Sequence, residues 1–267
     1  MKAKSTSDVT EMPYESNPID LIKPSYNAFV LMAFEYLKLV AITLITYFIL
    51  SIPAFIAFSS LHSLKAFATP SLAAIGLIFL SLVLISISGI YLSYALTKLP
   101  LAAARGVKLT WRQSLPKSFS EAWDVAWASL IAAAIIVLGL IALIIPGIIF
   151  AIRYSQVAYV VIDEGITGMA ALRRSEELVA KRKMDMAGLF SLSQVVGIII
   201  KIPAIGTIFL IIFQFITSPM YAIRFIQLTQ LSDEDRKTIP TKKINYVLLV
   251  LAIIVRIVLA SAKKTHK

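Results

Sequence analysis

Long apolar runs separated by short polar connectors dominate the chain, and their lengths set the expected architecture. A helix rising 1.5 Å per residue needs about 17–25 apolar residues to cross a hydrocarbon core ~30 Å thick. Six runs, at residues 38–58, 72–96, 123–145, 148–162, 187–202 and 204–223, predict six membrane spans. Those at 148–162 and 187–202 are short, so they should cross nearly upright or where the bilayer thins. A seventh run, 246–262, carries Arg256 and reads either as a further span or as a helix that dips into or lies along the interface. The expected fold is all-α, a polytopic transmembrane bundle. Its parts are a polar cytoplasmic segment (1–27), a six-span domain (28–232), and a charged connector with the seventh run and a basic tail (233–267).

Local signals refine these runs. Ser118-x-x-Glu121 and Thr110-x-x-Gln113 have the spacing of capping boxes, in front of the third span and of a short helix in the preceding loop. Glu35 and Lys38, three residues apart on one helical face, are placed to pair at the mouth of the first span. Trp123 and Trp127 stand where an aromatic belt would lie. Pro146-Gly147 predicts a tight turn between the third and fourth spans. Residues 166–183 read as an amphipathic helix, with Met169, Leu172, Leu178 and Val179 on one side. Arg173, Arg174, Glu177 and Lys181 lie on the other, and Glu177 and Lys181 form an i,i+4 pair in the favourable order. Such a helix is expected to rest on lipid headgroups and hold the fourth and fifth spans in place, or to bind a specific anionic lipid or partner.

Composition agrees with the pattern. Of 267 residues, 58% are hydrophobic and only 15% are charged, too few for a soluble domain to cover its core. The net charge of +11 argues for anionic headgroups rather than nucleic acid, since no stacking platform or binding motif accompanies it. Lys and Arg crowd the segments before the first span, between the second and third, between the fourth and fifth, and after the sixth. The opposite turns hold Lys65 and Lys201 alone. That asymmetry places the N-terminus in the cytoplasm, in a cytoplasmic (plasma) membrane. The first two dozen residues show no cleavable leader. Cysteine is absent, which excludes disulfides, thiolate nucleophiles and Cys-ligated metals.

Candidate chemistry is sparse. Asp163 and Glu164 are adjacent, so on a helix they diverge by about 100° and do not make a shared-proton dyad. With Gly165 they read as the end of the fourth span and a turn. His62 and His266 are far apart with no carboxylate cluster beside them, so no metal site is expected. No phosphate-binding glycine loop or nucleophile elbow occurs, and no cofactor is implied. Gln194 and Gln214 fall inside the fifth and sixth spans, where interhelical hydrogen bonding is the expected role. Arg153 precedes Asp163 by ten residues, hence lies ~15 Å deeper along a continuous helix. It is expected to face the bundle interior and donate to span-end carbonyls or to Gln194 or Gln214, as an interhelical clamp or a headgroup-phosphate ligand.

The stretch "PGIIFAIRYSQVAYVVIDEGITGMAALRRSEELV" resembles the YciC-like bacterial integral membrane proteins and the related membrane domain attached to some glycerophosphodiester phosphodiesterases. The likeness rests on Pro146, Gly147, Arg153, Asp163, Glu164, Gly165, Ala171, Leu172, Arg174, Ser175 and Leu178, and extends over residues 120–225. The family's usual continuation, a glycine and a basic residue before a tryptophan, is replaced here by "AKRKMDMAGL". The resemblance implies a six-helix membrane core and carries no catalytic residue. The expected function is that of a non-enzymatic multi-pass protein that organises membrane lipids or protein partners. The alternative is a permease for a small or lipid-derived solute. The candidate structural or binding residues are Arg153, Asp163, Glu164, Gly165, Arg173, Arg174, Ser175, Gln194 and Gln214.

Overall fold

The computed structural model describes residues 14–63, 72–199, 206–231, 239–243, 245 and 247. Among them there is no β-strand. The helices are α1 (Ile22–Ser63), α2 (Leu72–Ala104), α3 (Trp111–Ser114), α4 (Phe119–Ala142), α5 (Ile144–Arg153), α6 (Val157–Glu164), α7 (Gly168–Lys181), α8 (Lys183–Ile199) and α9 (Gly206–Gln230). Four stretches of the described residues are long and apolar enough to cross a bilayer: Ile22–Ser59, Ala73–Ala104, Phe119–Ala142 and Ile145–Glu164. Only 6% and 11% of the most apolar windows of the first two are buried inside the protein. Phe48, Phe55, Phe79 and Ile141 stand fully outward. A lipid environment receives such side chains without penalty, whereas water would drive them together. The molecule has the surface of a membrane-embedded helical bundle.

The helices overrun the apolar runs at one end. α1 begins at Ile22 rather than near 38, so the supposedly polar terminal segment 1–27 already supplies buried Leu21 and the first helical turns. Pro24 is tolerated there because first-turn amides have no intrahelical partner. Ala28, Met32 and Tyr36 of this extension meet Leu99 and Ala103 of α2, which likewise runs on past Leu96. The main core lies around the second half of α9, from Met220 to Leu228, with Val160 of α6, Leu172 and Leu178 of α7, and Met186 and Leu189 of α8. The expected fifth and sixth spans correspond to α8 and α9. Residues 200–205, Lys65, His266 and nearly all of the 246–262 run lie outside the described residues.

Two local expectations change. The chain reverses at Leu143, which is extended and donates its N–H to Gly139 O (3.0 Å), not at Pro146-Gly147. Those two residues sit in the first turn of α5. Gly147 is there for closeness: a Cβ would strike the Leu140 side chain and come 2.7 Å from its backbone nitrogen. One on Gly139 would lie 3.0 Å from Gly147 Cα. The second change is in the fourth apolar run, which is two helices. α5 stops at Arg153, Tyr154–Gln156 form a turn, and α6 restarts at Val157.

The glycine contact makes a direct test. Gly147→Ala must push α4 and α5 apart, and overpacking of this kind costs about 1–3 kcal/mol. Thermal unfolding in detergent should fall accordingly, whereas Gly76→Ala, with nothing within 4 Å of the new methyl, should not destabilise.

Candidate functional site

The break between α5 and α6 leaves backbone groups without helical partners, and a side chain from α7 takes them up. Ser175 Oγ donates to Arg153 O (2.8 Å) and accepts from Gln156 N–H (3.3 Å). Ser175 and Gln156 are both fully buried, so water does not compete for these bonds. α7 reaches this position because Ala171, Leu172, Ser175, Leu178 and Val179 form one inward face. The helix is thus packed into the bundle along that face. Met169, expected on its apolar side, is instead exposed.

Around that joint the acidic-glycine turn is tied down by arginines. Arg105, at the end of α2, pairs with Asp163 (2.6 Å), and Arg174 Nε donates to Glu164 (2.8 Å). The Glu164 hydrogen bond holds the Arg174 guanidinium even more firmly protonated than usual. Gly165 caps α6 in the left-handed region (φ 68°), a conformation that favours glycine. Arg173 is exposed.

Arg153 is placed differently from the expectation. Its guanidinium pairs with Glu176 of α7 at 2.9 Å, with both side chains more than a third exposed. The depth argument assumed a continuous helix, and the Tyr154–Gln156 turn removes that premise. The side chains of Gln194 and Gln214 lie outside what the structure describes. Lys181 also departs from its expected pairing with Glu177. Its ammonium donates to Leu228 O (3.4 Å) and Leu231 O (3.3 Å), at the carbonyl end of α9 where a cation is favoured. Glu177 lies against Arg174 instead (3.5 Å).

A second polar centre was not among the sequence candidates. Asp185, in the first turn of α8, is completely buried. Its Oδ2 accepts from Tyr14 Oη (2.8 Å) and Arg182 Nε (2.7 Å). Its Oδ1 accepts from Ser16 Oγ (3.2 Å) and Asn245 Nδ2 (2.7 Å). Arg182 also donates to Ile239 O (2.6 Å), and Arg224 of α9 donates to Glu15 O (2.6 Å). The Tyr14 ring lies 5.0 Å from one guanidinium and 4.9 Å from the other. Burial raises the Tyr14 phenol pKa well above its ordinary value, so it remains a donor to Asp185 near neutral pH. Gly188 leaves the room for Asn245, since a Cβ there would collide with the amide. Arg182, within the basic run 181–183, is buried. The signal that could have found this centre is Asp185 itself, an acid standing directly between the basic run 181–183 and an apolar run.

Among the described residues no group of His, Asp or Glu side chains is arranged to hold a metal ion. No protein-family model, curated protein or solved structure matches the chain.

Ser175 and Arg153 should differ in their response to substitution. Ser175→Ala leaves a buried carbonyl and a buried amide without partners, at about 1–3 kcal/mol each. A marked loss of thermal stability is expected. Arg153→Met removes a half-exposed pair and should change stability by less than about 1 kcal/mol. The reverse ranking in a thermal unfolding series would show that Arg153, rather than Ser175, holds the joint.

Proposed function

We propose that the protein is a non-enzymatic, six-span component of a cytoplasmic (plasma) membrane that gathers anionic lipid or protein partners at a basic, cytoplasmic end. The spans would be α1, α2, α4, α5 with α6, α8 and α9. The observation that carries this reading is the separation of surfaces. Apolar side chains band the long helices, while Lys23, Lys108, Arg112, Lys117, Arg173 and Lys183 are all exposed. Lys23, Lys117 and Lys183 sit where α1, α4 and α8 begin, Lys108 and Arg112 follow the end of α2, and Arg173 lies on α7. Cations gathered on one side support a cytoplasmic orientation for that end. They also favour contact with anionic headgroups, each contributing about 1 kcal/mol near such a surface. The likeness of residues 120–225 to YciC-like proteins belongs to this proposal, as support for a six-span core. A permease reading draws on the interrupted α5–α6 segment, because transporters line their sites with broken helices. Here the interruption is filled by Ser175, which favours a structural role.

The wild-type chain has no cysteine, so single substitutions report topology cleanly. Lys108→Cys and Lys183→Cys should react with an impermeant maleimide only after cells are permeabilised. Labelling of either in intact cells contradicts the orientation. Replacing Lys108, Arg112 and Lys117 with Gln should reduce preferential retention of phosphatidylglycerol over phosphatidylcholine by about tenfold or more, given about 1 kcal/mol per cation. An unchanged preference removes the headgroup role from this loop.

A further inference from the structure

The Asp185 centre holds more positive charge and more donors than it uses. Its buried charges are two guanidinium cations, Arg182 and Arg224, and one carboxylate. Arg224 is completely buried, yet among the described residues its Nε and Nη2 have no hydrogen-bond partner. Arg182 Nη2 has none either. The acceptors supplied to the two guanidiniums are the neutral Glu15 carbonyl for Arg224, and Asp185 Oδ2 with the Ile239 carbonyl for Arg182. The Tyr14 ring face adds a weak attraction to both cations. Burying an ion without a counter-charge is strongly unfavourable, and arginine forks are shaped to receive two oxygens at once. What matches three unpartnered guanidinium nitrogens and one excess positive charge is a compact oxyanion.

We propose that Arg182 and Arg224 form a recognition site for a phosphate group, covered by the Tyr14–Ser16 segment. That segment is not helical, and it meets the arginines through the Tyr14 side chain and one backbone carbonyl. A phosphate carries both the charge and the acceptor oxygens that the ring and the carbonyl supply incompletely. Entry requires residues 14–16 to move aside. The phosphate can come from a lipid headgroup or from a free anion, and the chemistry of recognition is the same. The inference goes beyond the membrane-surface reading, and its soluble arm can succeed or fail independently of it.

The test is thermal unfolding of the full-length protein in neutral detergent. One arm titrates inorganic phosphate against chloride at equal ionic strength. The other adds phosphatidic acid or phosphatidylcholine to the micelles. A ligand that binds the folded state raises the midpoint in step with the logarithm of its concentration. We expect such a rise with phosphatidic acid, with inorganic phosphate, or with both. A response to the lipid alone assigns the site to a headgroup, and a response to both shows that the bare anion suffices. Arg224→Lys keeps the charge but loses the fork, and should flatten the rise. Arg182→Lys takes its place if that variant does not fold. The surface variant Lys243→Gln should retain the rise in full. A midpoint unmoved in both arms overturns the proposal, because the chain then balances the charge itself. An equal rise in the arginine variants, or its loss in the surface variant, overturns it as well.

Discussion

A single buried carboxylate, Asp185, is the interaction on which one end of this bundle depends. An ionised acid taken out of water is tolerated only when its lone pairs are filled, and here four side-chain donors fill them. Those donors come from residues 14, 16, 182 and 245, which are spread over nearly the whole chain. The bonds fix the start of α8 and draw the segment before α1 and the segment beyond α9 onto it. Arg224 repeats the connection from α9 through Glu15.

The same principle recurs elsewhere, and the membrane setting explains why. Apolar packing distinguishes weakly between arrangements when lipid is as apolar as leucine, so polar contacts and close backbone approach specify register. Ser175 locks α7 onto the α5–α6 turn, and Lys181 sits on the carbonyl end of α9. The Gly139–Gly147 approach closes the α4–α5 hairpin. α7 is central to this scheme. It looks like a surface helix by composition, yet its small inward face and one serine make it the wedge between α4, α5, α6 and α9. The cations left exposed at this end are then available to the membrane surface, as the proposed function requires.

Much of this was legible in the residues, for physical reasons. Length and hydropathy announce long apolar helices. Short-range chemistry was also readable. Glu121 N–H donates to Ser118 Oγ (3.4 Å), Thr110 N–H donates to Gln113 Oε1 (3.0 Å), and Lys38 pairs with Glu35 (2.9 Å). Each of these lies within three residues, where helical geometry alone dictates the contact. The break at Tyr154–Gln156 was invisible because it contains neither glycine nor proline, and the serine that stabilises it lies nineteen residues away from Gln156. Arg153 was misplaced by the same omission. The Asp185 centre was hidden in another way. Arg182 and Arg224 read as members of basic, helix-flanking groups, and only the fold turns them inward while Lys183 stays outside.

Hydrogen–deuterium exchange on Asp185→Asn tests the central claim most directly. Asparagine keeps the size but loses the charge and turns one acceptor into a donor, facing Tyr14, Arg182, Ser16 and Asn245. If this carboxylate holds both distant segments, exchange should accelerate together at residues 14–21 and 239–243, while α4 stays protected. Unchanged exchange at both segments, or acceleration at one alone, would contradict the account.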